Sequence, residues 1–340
     1  MRKAATLALS LAVLAAALVA TPAFAADYTL KTVVITRNAI QTEQLWSWAA
    51  EEIQKRSNGR VKLEIVSLPE LGLSGFELVR VMQAGLVDMG DVMPTYVAGD
   101  IPIIEGADIL GIFGNYDAAM KGHLAWETLL REKYTDRLGA VVLGSWPWAQ
   151  QLLFSNKPVN SLNDVKGMKI RVFSPAMAQF VRALGAEPVS LAYAELYTAL
   201  ERKTVDGAIT CSRCGWDTKL YEATKFLVDL HMGTAVSTLF VVSKRSWDKM
   251  PPDLRQILTA VGGEFTERGW RLSREWATDG IDKNTKQGGM KFNVVPPNDR
   301  APVLKLVQEN VAPAWAKRAG PQAKAEWNNV LGPIVGFRIP

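Results

Sequence analysis

Catalytic hardware is scarce in this 340-residue chain. His123 and His231 are its only histidines and stand far apart, so a Ser/His or Cys/His nucleophile system has little to draw on. There is no G-x-S-x-G elbow, no P-loop, no G-x-G-x-x-G and no H-E-x-x-H. Paired carboxylates such as Glu51-Glu52 fall on helix faces, where solvation is the default. Cys211 and Cys214, the only two cysteines, would need further ligands for a zinc site, and His123 and His231 are the only histidines on offer. No acidic cluster marks a cation, so neither metal nor cofactor is expected. The formal charge of +5, two of it from Arg2 and Lys3, is too mild to argue for nucleic acid. No basic run interleaves with aromatics as a strand-binding groove requires. Beyond Ala25 no apolar run is long enough to span a bilayer.

The N-terminus points to a compartment. Arg2-Lys3 is a positive start, Ala4 to Ala20 is an apolar run, and Ala23-Phe24-Ala25 is a small-x-small cleavage site. We expect a signal peptide over residues 1–25, secretion, and no membrane insertion afterwards. The remaining chain is long for one core and suits two lobes. In an oxidising compartment Cys211-Ser212-Arg213-Cys214 can close a local disulfide. A structural bridge or two buried thiols is favoured over a redox-active pair, because no thioredoxin-like strand and helix surround it.

The most informative stretch runs from Asn160 to Thr210. Lys169-Ile170-Arg171-Val172 reads as a short strand, with Ile170 and Val172 facing one way. Met177, Phe180, Val181 and Leu184 follow at helical spacing, and Gly185 stops the helix. Leu191 to Leu200 reads as a second helix, leading to a turn and strand at Val205-Asp206-Gly207-Ala208-Ile209-Thr210. Elsewhere we expect strands at Tyr28–Ile35, Val61–Ile65, Ala140–Leu143, Ser237–Ser243 and Phe292–Val295, and a loop over Ala98–Phe113. A long helix starts at Pro252, with Gly262-Gly263 as a site for a bend. Leu78 to Gly90 echoes Leu196 to Gly207, each a helix, a turn and a Val-Asp segment. Two such units suggest two related lobes, or chance among common turn residues.

Arg171 is the leading candidate for function. It stands at a strand end, and its planar fork matches a carboxylate bidentately, although a surface arginine paired with Asp164 is the plain alternative. Trp146, Trp148 and Trp216 are aromatic residues of the kind that line clefts, or else core. Gln151 and Thr210 are polar at strand or loop ends and serve a ligand or cap backbone. Arg213 is a second cation or a surface charge.

Asp164-Val165-Lys166-Gly167-Met168-Lys169-Ile170-Arg171 resembles the D-L-K-G-x-K-I-R signature of TRAP-transporter solute-binding proteins (tripartite ATP-independent periplasmic transporters) of the C4-dicarboxylate-binding type. Asn156-Lys157-Pro158-Val159, Glu195 to Leu200, Val205-Asp206-Gly207, Tyr221 to Lys225 and Ala84 to Asp88 match in the same order, over nearly the whole chain after the leader. The resemblance implies a two-lobed α/β periplasmic binding fold with hinge strands and a long helix spanning both lobes. Residues 26–149 and 236–276 would form lobe I, and 150–235 with 277–340 lobe II. It implies no enzyme, an organic anion held by Arg171 in a cleft that closes, and the transporter's membrane subunits as partners. The family's second polar position, often asparagine, falls at Thr210, and a second arginine falls near Gln151. That departure argues against assuming a dicarboxylate and favours a monocarboxylate. The rivals are a binding protein of an ABC importer, a sensory module and a secreted enzyme.

Overall fold

The structure, a computed structural model, describes residues 26–233, 236–296 and 300–340. The expected leader, with Arg2, Lys3 and the Ala23-Phe24-Ala25 site, lies outside the described residues.

Eleven strands fall in chain order among the described residues. Tyr28–Val34 (β1), Val61–Ser67 (β2), Met89–Val92 (β3) and Ala140–Pro147 (β4) come first. Gln151–Ser155 (β5), Lys169–Val172 (β6), Glu187–Ser190 (β7), Gly207–Cys211 (β8) and Phe226–Asp229 (β9) follow. Ser237–Ser243 (β10) and Lys291–Val294 (β11) complete the set. They make two sheets, ordered β2-β1-β3-β10-β4 and β11-β9-β5-β8-β6-β7. In the first, β1 runs parallel to β2 and β3, and β10 is antiparallel to β3 and β4. In the second, β6 runs parallel to β7 and β8, and β5 is antiparallel to β8 and β9. Strand chemistry follows exposure. β2 alternates buried Val61 and Leu63 with exposed Lys62 and Glu64, whereas β5, β8 and β10 are buried along their whole length and read as near-continuous apolar runs.

The chain passes between the sheets three times: from β4 to β5, from β9 back to β10, and through a long helix from β10 to β11. At the first crossing Trp148 N donates to the carbonyl of Val236, beside the second, at 2.8 Å. The helices that matter here are Ser47–Arg56 (α1), Tyr116–Lys133 (α2), Pro175–Ala183 (α3), Ser212–Asp217 (α4), Pro252–Asp282 (α5), Ala312–Ala319 (α6) and Pro321–Val330 (α7). Ser174 caps α3 by accepting from Met177 N at 3.0 Å, with Pro175 in the first turn.

α5 has 31 residues, roughly 46 Å at the helical rise. It spans both halves. A Cβ at Gly262 would collide with the carbonyl of Leu143 on β4, and one at Gly280 with the backbone of Ser212 and Arg213 on α4. The helix runs without a break through Gly262-Gly263, the site named for a bend. Gly262 lets helix and strand backbones approach, and Thr266 Oγ1 ties them by accepting from Ser145 N at 2.9 Å. The last helices straddle the two halves. Trp315 and Trp327 donate to the carbonyls of Pro102 and Gly106, while the turn leading into α6 packs on α3.

Three local expectations change. The helix expected over Leu191–Leu200 is a 3₁₀ turn at Tyr193–Glu195 followed by a helix at Leu196–Glu201, and β7 and β9 fall where no element is expected. β4 runs on through Pro147 instead of stopping at Leu143. The segment expected as a loop at 98–113 is largely buried, Gly99 and Asp100 apart, and holds a 3₁₀ turn at Pro102–Ala107. Among the described residues no helix is long and apolar enough to cross a membrane.

Candidate functional site

The carboxyl ends of the parallel strands of both sheets meet at one tight cavity of about 20 Å³. Ile35 follows β1, Met93 and Tyr96 follow β3, Phe173 follows β6, Tyr193 follows β7, and Cys211 ends β8. Open α/β sheets place ligands there because the loops leaving the strands diverge. Trp148, Gln151 and Val236, beside the crossings, complete the wall with Arg171, Thr210 and Cys214.

Arg171 is the one charged side chain among the described lining residues, and it is 1 % exposed. Its Nε donates to the Leu191 carbonyl at 3.0 Å and its Nη1 to the Ile209 carbonyl at 3.1 Å. The Phe173 ring lies 4.6 Å below the guanidinium carbon. Two backbone oxygens and one ring thus fix the fork, and its remaining N–H groups are left for another acceptor. Burial lowers the guanidinium pKa from its ordinary value, opposed first by the Tyr96 hydroxyl. An arginine starts so high that it stays a cation. Burial likewise raises Tyr96 and Tyr193, so both hydroxyls stay neutral. Tyr96 belongs to the first half and accepts from Tyr193 N of the second at 2.9 Å, a direct bond across the cleft.

Of the seven residues expected at a site, Arg171, Gln151, Thr210 and Trp148 come together here. Trp148 donates its indole N–H to Thr238 Oγ1 at 2.8 Å, which fixes the ring as a wall. The other three lie elsewhere. Trp146 is fully buried under α5 and donates to Asp91 Oδ1 at 3.1 Å, because β4 continues past Leu143 and turns it into the core. Trp216 stacks on Tyr221, ring centroids 4.7 Å apart, with Lys283 above it. Arg213 is bound to Asp217 at 2.8 Å and also to Asp279 of α5, so its charge is spent clamping α4 to the long helix. Tyr96, Tyr193 and Phe173 were not singled out. Their sequence signal is position: each follows the end of a parallel strand.

Cys211 and Cys214 are joined in a disulfide. Both are buried, and the Cys211 sulfur accepts from Cys214 N as the cap of α4. The bridge therefore braces the helix start that forms part of the cavity wall.

Residues 32–318 match the family model described as "Bacterial extracellular solute-binding protein, family 7". A solute-binding protein of Albidiferax ferrireducens is 32% identical over 229 residues, 64% of this chain and 64% of that protein, so the match spans slightly less than two thirds of that relative. The C4-dicarboxylate-binding periplasmic protein DctP of Rhodobacter capsulatus is 26% identical over 77% of this chain and 80% of its own. Among solved structures, a Bordetella pertussis extracytoplasmic solute receptor binding pyroglutamic acid superposes with a TM-score of 0.79 at 25% identity, covering 88% of this chain and 98% of that one.

Proposed function

We propose that this chain, which belongs to the bacterial extracellular solute-binding proteins of family 7, the DctP-like binding proteins of TRAP transporters, captures a small organic acid by closing two lobes around its carboxylate. One observation carries this reading: a fixed, 1 % exposed guanidinium facing an aromatic cavity between two sheets, with no carboxylate among the described lining residues. A buried cation without an acid to pair it is costly, and a ligand carboxylate in bidentate contact supplies that partner. Pyroglutamic acid, bound by the Bordetella receptor, and the C4-dicarboxylates named for the Rhodobacter protein share that group.

The cycle is hinge closure. With the lobes apart, Arg171 is hydrated. With the lobes together it is desolvated and paired with the anion, and the backbone at Trp148 and Val236 absorbs the rotation. The membrane subunits of the transporter then receive the closed form. The leader is removed near Ala25 and the protein works in the periplasm, in keeping with an extracellular family.

The test is a thermal-shift screen against organic acids followed by calorimetry. A ligand that binds only the folded form raises Tm. Arg171→Ala should weaken binding of any hit by about 2–5 kcal/mol, the range for truncating one partner of a buried charge pair. Arg171→Lys should also lose affinity, because a point charge cannot replace the fork. Equal affinity in all three proteins would remove Arg171 from the site.

A further inference from the structure

Gln151 stands where the family resemblance placed a second arginine, and its amide has one end in use and one end free. It is 2 % exposed and lines the cavity. Its Nε2 donates to the Ala149 carbonyl at 3.1 Å. A carbonyl oxygen accepts only from a donor, so this contact fixes which end of the amide carries nitrogen. The other end, Oε1, is a buried acceptor to which no group among the described residues donates. Such an acceptor costs free energy until a donor reaches it.

None of the described cavity side chains, the Thr210 and Tyr96 hydroxyls included, donates to Oε1. The Trp148 indole N–H is committed to Thr238, the Tyr193 hydroxyl donates to the Cys214 carbonyl at 3.4 Å, and two of the Arg171 N–H groups bond backbone. The charge pattern narrows the donor further. An ammonium would sit in the same small cavity as the Arg171 cation, with no carboxylate among the described lining residues to balance it. A second carboxylate would face the lone pairs of Oε1 and find no second cation. The donor is therefore neutral, and the aromatic walls suit an apolar frame around it.

We infer that this site takes a small monocarboxylate whose apolar body bears a neutral N–H or O–H group donated to Gln151 Oε1. It discriminates against dicarboxylates and zwitterionic amino acids. The inference rests on the carboxylate reading above and adds the second point of recognition. A site built around a buried hydrogen-bonding group rejects an analogue lacking the partner far more strongly than an apolar pocket rejects a missing methylene.

Matched probes test it on the purified protein by calorimetry. Pyrrole-2-carboxylate is compared with furan-2-carboxylate, which keeps the ring and loses the N–H. 2-Hydroxy-3-methylbutanoate is compared with 3-methylbutanoate, which loses the O–H. Succinate and valine complete the set. At least one donor-bearing probe should bind tenfold or more tightly than its donor-free partner, and tighter than succinate and valine. Gln151→Leu should bring that pair together while the Arg171 dependence remains. Ratios below tenfold in both pairs, or tightest binding by succinate or valine, overturn the inference and leave the carboxylate reading standing. If Gln151→Leu does not fold, the comparison on the unaltered protein decides alone. A protein that binds none of these acids, nor any in the wider screen, loses both readings together.

Discussion

Single residues here are decided by whether they find a partner once buried. Arg171 uses two carbonyls and a ring to hold a charge it does not neutralise, whereas Arg213, expected beside it, is neutralised by Asp217 and Asp279. The sequence ranks Arg171 first through its place in Asp164–Arg171, but it shows a partner for neither arginine. The difference lies in contact: packing brings Asp217 and Asp279 onto Arg213, while Glu195 acts on Arg171 only through space. Asp91 shows the same rule with the opposite sign. It is 2 % exposed on β3, and burial pushes its carboxyl from an ordinary 3.8 to about 7, opposed by the Trp146 indole N–H. Glu105 is likewise raised to about 7 by burial, opposed by Arg318. An acid whose folded pKa lies above its unfolded one binds more protons folded than unfolded. Its stabilising contribution is complete below the unfolded pKa and is lost as pH rises through the folded pKa. Tm should therefore fall between about pH 4 and pH 7 on account of these groups. Asp91→Asn keeps an oxygen for Trp146 and removes the titration, so it should flatten part of that slope. An unchanged slope in the variant would take Asp91 out of the account.

At the scale of elements, one glycine on the long helix carries a prediction with two opposing terms. Gly262→Ala improves helix propensity by about 1 kcal/mol. The new methyl group, however, meets the carbonyl of Leu143 on β4, a backbone atom that cannot swing away. Overpacking of that kind costs about 1–3 kcal/mol, so the net effect should be destabilising, read as a lower denaturation midpoint at unchanged slope. A stabilised variant would show that the helix and strand can separate freely. The same contact gives Gly262 a role its sequence does not show: a sequence shows the missing side chain but not the strand that needs the space. Elements with long periodic patterns, such as β2, α2 and α5, were legible. β7 and β9, four residues each, carry no period long enough to read, and the first spans Pro188. The echo between Leu78–Gly90 and Leu196–Gly207 holds in space. β3 lies between parallel β1 and antiparallel β10, and β8 lies between parallel β6 and antiparallel β5. Each unit thus puts its strand at the same station of its own sheet, and its carboxyl end at the shared cavity.

For the whole molecule, the cavity exists only because two halves meet, so affinity depends on how readily they do. The Tyr96 hydroxyl is the bond that can be removed with least disturbance: it reaches across the cleft to Tyr193 N at 2.9 Å and faces the Arg171 guanidinium. Tyr96→Phe keeps the ring. In the closed form it leaves a part-buried N–H without an acceptor, a loss of up to about 1–3 kcal/mol; in the open form water satisfies the same N–H at little cost. The equilibrium should therefore shift toward open. Because apparent Kd scales inversely with the competent fraction, binding should weaken by roughly one to two powers of ten. Small-angle scattering separates this from simple loss of a ligand contact. A hinge variant should show a larger radius of gyration than the unaltered protein before any ligand is added, and contract to the same radius at saturation. A variant that loses affinity while its ligand-free radius stays put would make Tyr96 part of the cavity wall alone, and closure would then rest on the ligand and on the Trp148–Val236 crossing.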